Sequence, residues 1–483
     1  MSGEVLWIKT KLRRIADSYF WVVFIPIIIV KLAVFYFAAW HYLILGSHPL
    51  FGMDFQVVEG YSDFTYYYMN FVRQFVQGHL PYTDALYTIY GRQVYIYPPL
   101  FVYILSAFYF VPSEVVFPNL IVESLLLGRS LEFLRVGFAF IFFDLATCAV
   151  IYATARRLTA NRFIPVVAML VFALNPISIW WGNYLWLSTP IHTFFLTLGF
   201  YFLVRGNMLW AAIWITVATM TKQTAALLLP LVVFMEFRRS LERLYTSIAI
   251  IGVIILLLSL PYIALYPLSY FQALIGGIGA YWFSGELPPV THPVPVSILA
   301  IGWPEPFKFI AISAVYYGIP WAVFLAVFWV TGGFIAEKSG KEYTNQLLLI
   351  ALLLSLASHI FLARGLYKYY LIALLPFLAL FGTSLNRPII PHKTANQIAT
   401  PQRRLRYHLW GAINNWSTVW FIFAIIVSTG VFFIDRYFTH LLLFSVFLPL
   451  LGFSIYRYIW SPFKQRKHRH RSAEPSEGTG LGN

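Results

Sequence analysis

HPLFGMDFQVVEGYSDFTYYYMNFVRQFVQGHLPYTDALYTIYGRQVYIYPPL, residues 48–100, lies between hydrophobic blocks and is too polar for a bilayer to hold. It carries Asp54, Glu59, Asp63 and Asp84 in a chain with 19 acidic residues among 483. Apolar residues from Phe64 to Val76 recur at helical spacing, which predicts a short amphipathic helix lying on a membrane surface. Asp63 stands where a helix N-cap would be, so a capping role and a chemical role are both open to it. The stretch ends at Tyr97-Pro98-Pro99.

Around this segment the chain is 60% hydrophobic and only 11% charged, too little charge to cover a soluble domain. Several apolar blocks reach the ~20 residues that a spanning helix needs. The fold class expected is an all-α polytopic membrane protein, because lipid cannot satisfy open backbone groups. Aromatic residues make up 19% of the chain, which fits both interface belts and sugar-stacking surfaces. The net charge of +15 follows from Lys and Arg at cytoplasmic loops; with no basic soluble module in the sequence, nucleic acid is not an expected partner. The one cysteine, Cys148, lies in an apolar block and sets no compartment.

Taken outward, the first span is Tyr19–Leu43, preceded by a basic lead and followed by the polar loop at 44–99, placed outside. Pro98–Val111 is apolar but short, and reads as a re-entrant or interfacial piece. Spans are expected at Phe133–Ala155, Phe163–Trp181, Pro190–Val204, Leu209–Met220, Ala225–Phe237 and Ser247–Leu265. A second external loop covers 267–308. Further spans follow at Phe309–Phe334, Leu347–Leu362 and Leu371–Leu385, then a basic internal loop at 386–411. A hairpin within 412–460 and a basic, disordered tail at 461–483 complete the chain; residues 1–385 form the membrane body. This gives about 12 spans with both ends inside. The Arg clusters stay inside only if Pro98–Val111 does not cross and Leu209–Phe237 is two helices.

The external polar residues fall into the first loop, the Lys222-Gln223 turn and the turn from Arg364 to Tyr370. All face one side in this topology. A carboxylate there could act as a base, and Lys222, Arg364 and Lys368 could hold a phosphate. Each cation has an equally good structural explanation, snorkelling to the interface or fixing a helix end. Two charges lie deep instead. Lys31 sits ~18 Å and Asp144 ~16 Å from the outer ends of their spans at 1.5 Å per residue. Equal depth predicts a structural ion pair between the two helices.

YSDFTYYYMNFVRQFVQGHLPY, YIYPPL, FFDLATCAVIY, NPISIWWGN, TKQTAALLLP and YKYYLIALLP occur in this order. In that order the set resembles the GT-C superfamily of polyprenyl- or dolichyl-phosphate-sugar-dependent glycosyltransferases. Its nearest likenesses are the GPI mannosyltransferase I (PIG-M) type and the bacterial polyprenol-phosphate-mannose-dependent mannosyltransferases. The likeness covers most of Tyr61–Leu380. It implies a GT-C-type bundle that moves a hexose, mannose first among candidates, from a polyprenyl-phosphate donor to a lipid or glycan acceptor with inversion. Asp63 would be the catalytic carboxylate, with Asp54 as a substitute for the family's second acid, which has no counterpart after Asn183. Lys222, Gln223, Arg364 and Lys368 would bind the donor phosphate, and His79, Arg92, Tyr97, Asn183 and Tyr369 would line the site. Glu286, His292 and Glu305 are weaker candidates, and Tyr66, Tyr67 and Tyr68 read as interface aromatics. No metal-ligand spacing is present and no cofactor is certain, while a divalent metal stays open. The expected location is a multi-pass place in the cell membrane of a prokaryote or the endoplasmic reticulum (ER) membrane of a eukaryote, with the site on the non-cytoplasmic side. Two alternatives remain at this point: a transporter or lipid flippase, and a non-catalytic subunit built on the same fold.

Overall fold

The computed structural model describes residues 18–40, 63–82, 88–89, 92–93, 95, 97–112, 132–159, 161–270, 304, 341–360, 368–385, 415–434 and 436–456. Asp54, Arg364, Glu286, His292, Glu305, the span expected at Phe309–Phe334, the basic loop at 386–411 and the tail at 461–483 lie outside these residues, as does most of the second loop.

The described chain is helical apart from a two-residue antiparallel ribbon, Thr88–Ile89 with Arg92–Gln93. Helix α1 is Ser18–Trp40. Asp63–Tyr68 forms a wide π-helical turn that runs directly into α2, Met69–Val76. Then come α3, Pro99–Tyr109, and α4, Glu132–Leu158. Helix α5, Phe163–Ala173, breaks and resumes as a π-helical turn at Ser178–Tyr184, bent by 62°. The break has a local cause. Pro176 disfavours helical geometry at Asn175, and the Asn175 side chain accepts from Ile177 N at 3.0 Å, capping the new turn.

Helices α6 (Thr189–Val204) and α7 (Met208–Thr221) follow, then a 3₁₀ turn at Gln223–Leu228, α8 (Leu229–Arg239) and α9 (Leu241–Leu265). Later come α10 (Lys341–Ile360), a 3₁₀ turn at Lys368–Ala373, and α11 (Leu375–Ser384). The last helices are α12 (Trp416–Phe433) and α13 (Arg436–Ile455).

Helix α4 is the hub, packed on α1, α3, α5, α6 and α11. Of the most apolar window of α4, 61% is buried, against 28% for α1 and 11% for α9. The outward faces of α1 and α9 (Val22, Ile29, Val253, Leu257) therefore suit contact with lipid. Helix α6 reaches α7 closely because Gly199 has no side chain; a Cβ there would stand 2.5 Å from Ile215 Cγ1.

The chain is a multi-pass membrane protein. Four described helices are long and apolar enough to cross a membrane: α1, α4, α9 and α12; the bent pair at α5 would make five. Among the described residues the count of about 12 is not shown: one expected span lies outside them, and most of the other apolar helices are short. The other apolar helices hold 10–17 residues, cut short by breaks such as those at Asn175-Pro176 and Lys222. The region Leu209–Phe237 does divide, at Lys222, whose backbone is extended.

Candidate functional site

Two of the three buried lysines among the described residues, Lys31 and Lys222, organise the polar interior; the third is Lys368. The first, Lys31 on α1, is fully enclosed, and its Nζ lies 2.5 Å from Asp144 Oδ2 on α4. Lys31 also donates to Asn183 Oδ1 at 2.7 Å and reaches Ser178 Oγ at 3.4 Å. Ser178 Oγ donates to the other carboxylate oxygen, Asp144 Oδ1, at 2.8 Å. The bent turn of α5 thus closes round an ion pair and supplies its neutral partners. Asn183, expected to line the outer site, is placed in this cluster instead.

The second lysine, Lys222, occupies the break between α7 and the 3₁₀ turn. Only 6% of it is exposed. Its Nζ lies over two rings, 3.7 Å from the centroid of Tyr370 and 5.5 Å from that of Tyr369. Among the described residues, Nζ makes no hydrogen bond. Asp63, at the head of the π-helical turn, is within electrostatic reach of Lys222, and the Tyr369 side chain hydrogen-bonds its carboxyl. Loss of hydration pushes the Asp63 carboxyl up to about 7, against the opposing pull of Lys222 and the Tyr369 bond. The same loss of hydration brings the Lys222 ammonium down to about 7, opposed by Asp63.

A further hydroxyl, that of Tyr68, is within electrostatic reach of Asp63. The Tyr68 and Tyr97 hydroxyls are 3.1 Å apart, and Tyr68 also meets the Ser188 side chain. The exit of the loop is held by tyrosines. Tyr82 donates to Tyr97 O at 2.7 Å and Tyr95 to Pro98 O at 3.2 Å. The Tyr82 ring also meets those of Tyr262 and Tyr270, centroids 4.7 and 4.9 Å away, tying the loop to α9. Behind Tyr370, one ring nitrogen of His359 lies 2.7 Å from Tyr370 O and the other 2.6 Å from Ser355 O, which ties the 3₁₀ turn to α10. His192 on α6 and His359 are both within electrostatic reach of Lys222.

Trp186 contacts residues near both lysine sites. Its ring meets Phe35 of α1 at 5.3 Å and Phe64, next to Asp63, at 4.9 Å. Its backbone is left-handed, φ 52°, a cost of about 1–2 kcal/mol for a residue with a Cβ. Packing holds it there: Gly137 of α4 gives the ring its space, and a Cβ on Gly137 would stand 2.7 Å from Trp186 Cε3.

The structure brings Asp63, Lys222, Tyr97 and Tyr369 into one region. Lys368 points elsewhere, its Nζ donating to Phe432 O at 3.3 Å. Gln223 opens the 3₁₀ turn beside Lys222, half-buried. His79 lies past the far end of the helix that Asp63 begins, ~20 Å along it at 1.5 Å per residue. Arg92 is placed in the ribbon, its side chain outside the described residues. Sequence reasoning missed Tyr370, His192 and His359. Tyr370 adjoins Tyr369 in the same turn, and the two histidines are isolated polar residues near helix ends, so each carried a signal. Among the described residues no group of three or more His, Cys, Asp or Glu could hold a metal.

A family model described as GPI transamidase subunit PIG-U matches residues 61–285, a little under half of the chain. Comparison with curated proteins gives no match. The match corrects the likeness to the GT-C mannosyltransferases, and with it the hexosyltransferase activity, the polyprenyl- or dolichyl-phosphate sugar donor and the glycan acceptor. The physical reason lies in what the quoted motifs do. YSDFTYYY starts a helix, NPISIWWGN breaks one and encloses an ion pair, and TKQTAALLLP breaks another. They specify how the membrane body is built, and a shared build does not fix the reaction.

Proposed function

We propose that the chain is a non-catalytic membrane subunit of a GPI transamidase, the complex that attaches GPI anchors to proteins. The observation that carries this reading is the family match itself, which runs from the Asp63 turn through α9. On this reading its partners are the other subunits of the complex, the GPI lipid and the proproteins that receive it, and its place is the ER membrane. The described architecture suits a scaffold: the Lys31–Asp144 pair joins two helices.

We further infer the finer organisation. Residues 1–385 form the membrane body, and the shorter apolar helices complete about 12 crossings together with the long ones. Residues 386–411 and 461–483 are basic segments on the cytoplasmic side, separated by a hairpin within 412–460. Asp63 and Lys222 face the non-cytoplasmic side as parts of a binding region.

Depletion of the protein in its own cells tests the reading. GPI-anchored proteins should be lost from the surface while unprocessed proproteins and complete, unattached GPI accumulate. A tagged chain should co-purify with the transamidase. Accumulation of under-mannosylated GPI precursors, or normal anchoring, would overturn it.

A further inference from the structure

Lys222 is the most anomalous group in the molecule. An ammonium taken out of water is expensive unless hydrogen-bonded acceptors replace its hydration. Lys31 has three such acceptors within 3.4 Å. Lys222 is 94% enclosed by its 6% exposure and has none among the described residues. The rings of Tyr369 and Tyr370 attract its charge through their faces but accept no hydrogen bond of ordinary strength. Asp63 supplies field without contact: Lys222 feels its charge yet is not bonded to it. A group that completed the shell of Lys222 would be an acceptor that bears negative charge.

The neighbours narrow its chemistry. The Tyr369 side chain bonds Asp63, Tyr68 is within electrostatic reach of it, and the hydroxyls of Tyr97 and Ser188 adjoin that of Tyr68. Asp63 in its neutral form is a further donor. A site with one cation and several hydroxyl donors suits an anion with more acceptor oxygens than a carboxylate offers. Position is compatible with the same class, since Lys222 sits at the break between two short apolar helices, at the end of each and not within a span.

We propose that Lys222, cradled by Tyr369 and Tyr370 and faced by Asp63, is the binding site for a phosphoryl group, with Lys222 Nζ donating to its oxygens. The inference stands on the geometry of Lys222 and does not require the transamidase reading. Among the described residues, the groups facing Lys222 are Asp63 from the first loop, His192 from α6, His359 from α10, and Tyr369 and Tyr370 from the 3₁₀ turn. Asp63 and Lys222 both take up protons as pH falls through about 7, so the site becomes more positive and phosphoryl affinity rises. Free phosphate gains negative charge in the opposite direction, near its second pKa of about 6. An affinity that falls as pH rises from 6 to 8 thus reports the protein and not the probe.

The test uses the full chain, delipidated in neutral detergent, titrated with dioctanoyl phosphatidic acid, inorganic phosphate or octanoate. Phosphatidic acid should bind, with Lys222→Met weakening it roughly 30-fold or more. Lys222→Arg should restore most of the affinity. Asp63→Asn should keep it at pH 6, and the surface change Arg205→Gln should leave it untouched. Tighter binding of phosphatidic acid than of phosphate assigns the group to a lipid; equal binding assigns it to a free phosphate. The proposal is overturned if neither phosphoryl probe binds, if octanoate binds as well as phosphatidic acid, or if folded Lys222→Met binds like the parent.

Discussion

Lys31 and Lys222 are both buried, both near one acid, and only one of them is satisfied. Lys31 touches Asp144 directly, and Ser178 and Asn183 fill the remaining positions around the pair. Lys222 is held over two tyrosine rings, feels Asp63 at a distance, and donates to nothing among the described residues. A completed pair fixes the register of α1 against α4. An uncompleted one is a place for something else. On the proposal above, the difference separates a charge that builds the fold from a charge kept for a partner; the Trp186 ring touches Phe35 on the helix of Lys31 and Phe64 beside Asp63.

The largest effect expected is at the completed pair. Asp144→Ala leaves a buried ammonium without its counter-charge and should cost about 3–5 kcal/mol, read from thermal or denaturant unfolding in detergent. The double change Lys31→Met with Asp144→Leu should recover most of that loss. The packing of Trp186 is next. Gly137→Ala drives a methyl into Trp186 and should cost about 1–3 kcal/mol, while also disturbing Phe64 and hence Asp63. Lys222→Met has the opposite sign: it removes an unbonded charge, so stability should hold or rise by about 1 kcal/mol. No such gain should follow Lys31→Met.

A smaller and more diagnostic effect concerns pH. Asp63 is raised in the fold to about 7 from 3.8, so the folded state binds the extra proton between those values. Its contribution is favourable at low pH and is lost as pH rises through about 7. Lys222 is lowered to about 7 from 10.5, so there the unfolded state binds the extra proton, and stability is lost as pH falls toward 7. Together the two groups should make a minimum near pH 7. The stability difference between the parent and the double variant Asp63→Asn, Lys222→Met, measured across pH 5–9, should show that minimum.

Much of this was legible in the sequence. Apolar runs locate α1, α4, α9 and α12, because lipid demands long uncharged helices. Counting residues from the span ends brings Lys31 level with Asp144, which the structure joins. Grouping the external polar residues brings Asp63 toward Lys222 and Tyr369. What escaped depends on side-chain direction and on broken helices. Nothing in YKYY tells which tyrosine ring faces Lys222, or that Lys368 turns to Phe432 O. Nothing in NPISIWWGN tells that the turn curls inward and hands Asn183 to Lys31. The mannosyltransferase reading failed for a different reason. Its motifs were structural punctuation, helix starts and breaks, and these occur wherever the same membrane body is built.

The most direct test of the contrast is a pair of double-mutant cycles on unfolding free energy at pH 7, one on Lys31 and Asp144, the other on Lys222 and Asp63. A coupling of about 3 kcal/mol or more is expected for the first pair and below about 1 kcal/mol for the second. Equal, large couplings would mean that Asp63 is simply the ion-pair partner of Lys222, and that Lys222 does not differ in kind from Lys31.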